Sequence, residues 1–197
     1  MKRANQAACI ATALVIVLAA TAAAEAQTVT FSRIDDATAS RFFDPATTRP
    51  DPANRNKLVI GFNTGLDSRT LKYRDFRAST ASFSYTAAMD TISFRIQAPT
   101  GYYVTKVTYT QRGTGSVVRT GKVSGGATWT VAEVSNSLAT FATNPTFTRT
   151  VDLTSRKLKV VPVSITPSLY AFATPSQGSA MVMLTSADVT VQLARLP

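Results

Sequence analysis

The stretch LDSRTLKYRDFRAST at 66–80 holds the residue types best suited to recognising a charged ligand. Arg69, Lys72, Arg74 and Arg77 are interleaved there with Tyr73 and Phe76. An arginine fork matches the paired oxygens of a carboxylate, sulfate or phosphate, whereas a lysine acts as a point charge. Asp67 and Asp75 offset part of that charge, so a solvated edge or loop accounts for the same run equally well. Tyr102, Tyr103 and Trp129 form a second candidate set, because an aromatic ring on an exposed sheet face stacks on a sugar ring. Trp129 lies in ATWTVAEV, where alternation puts Ala127 and Val131 on its face and favours packing in a core over stacking.

Most catalytic chemistry is excluded by composition. The chain has no histidine, which removes a Ser-His-Asp triad, a histidine base and a histidine-ligated zinc. Its one cysteine, Cys9, falls in the leader described below, and Glu133 is the one glutamate beyond it. Asp35, Asp36, Asp44, Asp51, Asp67 and Asp75 sit mostly beside Arg or Pro, as turn residues do. No phosphate loop, dinucleotide fingerprint or calcium loop is present in the sequence. One scheme survives, a polysaccharide lyase with a tyrosine base and an arginine that neutralises the substrate carboxylate. Tyr102, Tyr103 and Tyr109 near Arg112 permit it, but no spacing demands it. The expectation is a protein that is not an enzyme and uses no cofactor and no metal.

Residues 1–26 have the form of a secretory signal: Lys2 and Arg3, an apolar run from Ile10 to Ala20, and the small-x-small triplet Ala24, Glu25, Ala26. Cleavage there leaves a mature chain of residues 27–197, secreted or periplasmic, with no later run long enough to span a bilayer as a helix. The signal carries two of the 21 Lys and Arg and one of the 11 Asp and Glu, so the mature chain has 19 cations, 10 anions and a net charge of +9. Such a charge points to acidic partners. For an exported protein these are anionic polysaccharide or the head groups of an envelope surface, rather than nucleic acid.

The elements that must position these residues are strands. TISFRIQAPTGYYVTKVTYTQRG, Thr91 to Gly113, reads as a hairpin: Ile92, Phe94, Ile96 and Ala98 alternate with polar residues, and Pro99-Thr100-Gly101 turns the chain. The run Tyr102, Tyr103, Val104 breaks the alternation of the return arm and predicts a bulge. Other strands are expected at Gln27–Ile34, Lys57–Asn63, around Phe83 and Tyr85, Val117–Ser124, Ala127–Val134, Phe147–Leu153, Leu158–Ile165, Leu169–Thr174, Ala180–Thr185 and Ala187–Leu196, with helix conceivable at Leu138–Phe141 and within 66–77. Residues 35–56, with Pro45, Pro50 and Pro52, read as a long irregular loop.

Many short strands separated by Gly and Pro predict an all-β, antiparallel β-sandwich of jelly-roll-like type, a single domain over 27–197. The composition suits a protein that binds or builds, with an anionic extracellular polymer, polysaccharide or envelope component, as ligand. The alternative is a self-associating structural subunit of a surface layer or matrix, joined by strand addition at an open sheet edge.

Overall fold

A computed structural model describes residues 28–36, 42–44, 46–62, 66–67, 72–73, 77–81, 84–119, 121–140, 145–173 and 178–197. The strands run in chain order β1 (Thr30–Asp36), β2 (Arg49–Pro50), β3 (Lys57–Ile60), β4 (Leu66–Asp67), β5 (Lys72–Tyr73), β6 (Arg77–Ala81) and β7 (Ser84–Met89). They continue as β8 (Ile92–Gln97), β9 (Tyr102–Val118), β10 (Lys122–Val131), β11 (Val134–Thr140), β12 (Phe147–Asp152), β13 (Val160–Ala173) and β14 (Ser179–Arg195). The pairing is antiparallel throughout, in two six-stranded sheets and a small β4–β5 ribbon. The first sheet has the order β1-β8-β13-β10-β11, with β7 also on β13; the second has β12-β9-β14-β3-β2, with β6 also on β14.

Alternation assigns each side chain to a layer. Ile92, Phe94 and Ile96 of β8 and Val161, Val163, Ile165 and Leu169 of β13 face inward from the first sheet. They meet Leu58, Ile60, Val107, Tyr109, Leu184, Val189 and Val191 of the second in one continuous core. The result is a single-domain antiparallel β-sandwich.

The expected hairpin is corrected. Its two arms, β8 and β9, belong to different sheets, so Pro99–Gly101 carries the chain across the core instead of turning it back beside itself. Tyr102 N–H donates to the Pro99 carbonyl at 3.1 Å and Gly101 has φ 82, a conformation that costs glycine little. The expected bulge is present, as a register shift where Val104 and Lys106 oppose the adjacent residues Leu193 and Gln192.

Two pairs of expected strands each form one long strand. β13 runs through Pro167, and β14 absorbs a bulge between Leu184 and Ser186. Opposite Pro167 the ladder opens at Asp90 and Thr91, where a proline's missing N–H costs nothing. Asp90 is buried and accepts backbone N–H bonds from Phe42 and Phe43, both at 3.1 Å. Strand β9 extends to Val118 and β10 starts at Lys122, so the strand expected over 117–124 is divided between the end of β9 and the start of β10. Leu138 lies in β11, not in a helix: pairing with β10 overrides local propensity.

Candidate functional site

Of the residues singled out by type, those described lie apart, Arg77 opposite Met183 near the start of β14 and Tyr102 opposite Arg195 at its end. Arg69 and Arg74 lie outside the described residues. Lys72 is in β5, with its side chain outside them, and Arg77 opens β6 half-buried beside Met183 of β14. Tyr102 and Tyr103 are buried at the β9 bulge. The Tyr102 hydroxyl accepts the Arg195 Nε–H at 3.0 Å, and the same guanidinium lies 5.8 Å from its ring centroid.

Trp129 is 5% exposed. It stacks on Phe147 at 6.2 Å and 27°, beside Tyr109 at 6.3 Å, and its Nε1–H has no hydrogen-bond partner among the described residues. A sugar needs a free ring face, and these three rings turn theirs into the protein.

Tyr109 and Arg112 are parted by the pleat. Three positions apart, they point to opposite faces of β9. The Tyr109 hydroxyl donates to Gln111 Oε1 at 2.9 Å inside the core, and burial, with the nearby Asp188 carboxylate adding to it, pushes its pKa far above the ordinary phenol range. A phenol so held is not available as a base, and Arg112 Nη1 sits outside on Asp188 Oδ2 at 2.8 Å.

A different surface brings chemistry together, the outer face of the first sheet. Strands β7 and β8 lie end to end against β13 in one unbroken register, so their outward residues form rows with those of β13 and β10. Tyr85, Phe172 and Lys122 make one end row, and Ala87, Tyr170 and Ser124 the next. Tyr85 is 61% exposed, Met89 53% and Phe172 38%. Tyr85 stacks on Tyr170 at 5.9 Å and 26°, and the Tyr170 hydroxyl reaches Met89 Sδ at 3.5 Å. These rings form a preorganised aromatic platform open to solvent.

Hydroxyl rows continue from it. Thr91 and Thr166 bond through their side chains at 2.8 Å in one row, with Thr128 and Ser137 alongside. In the next, Ser93 Oγ–H donates to Ser164 Oγ at 3.2 Å, and Thr130 and Ser135 are 3.1 Å apart. Beyond them a groove of about 390 Å³ opens, lined by Arg33, Ser93, Arg95, Thr130, Glu133 and Ser164 among others.

One signal for the platform was present in the sequence. In SLYAFA, alternation places Leu169 and two alanines on the inward side and Tyr170 and Phe172 on the side that Ser168 marks as solvent-facing. Aromatics on the polar side of a strand invite attention, but Tyr85 joins them only through the long-range pairing of β7 with β13.

No family model matches the chain, and no curated protein matches it. Among solved structures it is similar to TmCBM61, a carbohydrate-binding module determined in complex with β-1,4-galactotriose. Identity is 10%, the alignment covers 86% of this chain and 88% of that one, and the TM-score is 0.27.

Proposed function

We propose that the protein is an exported, non-catalytic module that holds an extracellular polysaccharide along the outer face of its first sheet. The observation that carries this is the solvent-facing, stacked Tyr85–Tyr170 pair with Phe172, continued in register by rows of serine and threonine hydroxyls. Sugars present apolar C–H faces and hydroxyl edges, and an aromatic platform beside hydroxyls complements both. Large apolar side chains left open together on a soluble face mark a contact surface. A net charge of +9 on the mature chain favours an acidic polymer, and the cations of 69–77 add to that attraction through the summed field.

The test is affinity electrophoresis of the mature protein and of a Tyr85→Ala, Tyr170→Ala variant through gels containing glucan, galactan or polygalacturonate. The pair is expected to contribute about tenfold or more in affinity, at roughly 0.5–1.5 kcal/mol per ring. Both positions are on the outer face, so the melting temperature should change little. Equal retardation of the two proteins in every gel overturns the proposal. If the variant instead abolishes concentration-dependent oligomers of the wild type, the patch joins copies of this chain, and the structural-subunit alternative takes its place.

A further inference from the structure

The groove at the far end of the same face differs in chemistry from the aromatic platform. We infer that it is a subsite for the single carboxylate of an acidic sugar, a uronate-type residue, with Arg33 and Arg95 on the carboxylate and Glu133 accepting hydroxyls of the sugar ring. This rests on the reading that a polysaccharide lies along this face, and names the class of polymer it selects.

The backbone is shaped to present these groups. Phe31 pairs with Ile96 on the inward side, so simple alternation would aim Arg33 into the core as well. A register shift between Ser32 and Asp35, with Arg33 at φ 51, keeps this arginine on the surface, on the rim of the groove. Ala132 and Glu133 make the two-residue turn between β10 and β11 with φ 48 and 71, where glycine and asparagine are the comfortable residues. The turn is clamped: Ala132 N–H donates to the Pro162 carbonyl at 3.0 Å, and Arg156 Nη1 donates to the Ala132 carbonyl. Arg33 and Glu133, two of the left-handed non-glycine residues among those described, thus line one groove, and backbone strain held in place by its surroundings gathers at binding sites.

Charge narrows the ligand. Neither Arg33 nor Arg95 has an ion-pair partner among the described residues, and with Glu133 the described charged side chains that line the groove sum to one positive charge. A monoanion is matched by that excess. A densely charged polymer is opposed by Glu133, whereas a uronate brings hydroxyls for Glu133 to accept beside the carboxylate the arginine forks hold. Ser93, Thr130 and Ser164 line the groove with hydroxyl oxygens that keep acceptor lone pairs beside the bonds they already make. From Ser164 to Tyr170 is about 20 Å along β13 at ~3.4 Å per residue, so one extended chain can lie on platform and groove at once.

The experiment compares the binding of full mature protein to polygalacturonate, to its fully methyl-esterified form and to dextran sulfate. The esterified polymer keeps the backbone and removes the charge. The variants are Arg95→Gln, Arg33→Asn and Tyr85→Ala/Tyr170→Ala; asparagine tolerates the left-handed conformation at 33, and unchanged melting curves verify folding. Wild type should prefer the acid over the ester by about tenfold or more, the scale of hydrogen bonds to a charged group. Each arginine variant should bring that ratio towards one while keeping affinity for the ester. The platform variant should weaken both polymers alike and preserve the ratio.

A ratio unchanged in the arginine variants overturns the subsite and leaves the platform proposal intact. Loss of the ratio with no effect of the platform variant does the reverse. Dextran sulfate bound as tightly as polygalacturonate in an Arg33- and Arg95-dependent way overturns the preference for a carboxylate.

Discussion

The two outer faces of the sandwich treat their charges in opposite ways. On the second sheet Asp188, 6% exposed, takes Arg112 at 2.8 Å and Lys57 at 3.8 Å, and Lys57 also reaches Asp51 at 3.7 Å. Hydroxyls pair across strands on both faces, Thr108 with Thr150 at 2.9 Å here and Thr91 with Thr166 at 2.8 Å on the first sheet, so the contrast lies in the charges and rings. On the first sheet Arg33 and Arg95 have no such counterion among the described residues, and aromatic rings lie open to solvent. Charges paired inside the fold stabilise it and are not free to bond a partner, whereas cations and rings without such neighbours keep that capacity.

The contrast presupposes that both faces are backs of sheets sharing one core, and the most damaging change should strike that core. Phe94 is 2% exposed on the inner side of β8, with Phe31 edge-on at 6.1 Å. Phe94→Ala should cost about 3–5 kcal/mol by lost burial and a cavity. Chemical denaturation measures it, and a coincident midpoint with wild type would mean that the face bearing Arg95 is not the outer one.

Alkali should act next, from the core side of the second sheet. The Tyr109 pKa is raised in the folded protein, so its contribution is fully present below the unfolded phenol value of 10.0 and is lost as pH rises beyond it. Stability should fall by up to about 1.4 kcal/mol per pH unit in that range, in excess of a Tyr109→Phe variant. Parallel pH profiles for the two proteins would show that the phenol is not sealed.

The smallest effect sharpens the comparison most directly. Asp188→Asn removes the counterion of Arg112 and Lys57, and because the Arg112 side chain is 50% exposed the cost should be only about 1 kcal/mol. It should also give the second face unpaired cations like those of the first. Retention on a strong cation exchanger should rise, while the polygalacturonate-to-ester binding ratio stays as in wild type. A changed ratio would place acid recognition on the wrong sheet.

Much of this was legible in the residues. The alternation of Ile92, Phe94 and Ile96 specifies a strand and its buried side, because the pleat is a local property of the backbone. The same rule separates Tyr109 from Arg112, and the apolar parity of Ala127 and Val131 places Trp129 inside. What alternation cannot state is which strand lies beside which. β8 and β9 follow one another with a turn between them, and only the pairing of each with β13 and β14 puts them in opposite layers. Tyr85 meets Tyr170 through a register set by the whole of β7, β8 and β13, and Arg33 joins Arg95 through one extra residue in β1. Residue type and period are written position by position, so the sequence determined the strands, the core and the chemistries that are absent. Adjacency between distant strands is settled by burying all their apolar faces at once, and for that reason only the tertiary structure decided where a ligand could lie.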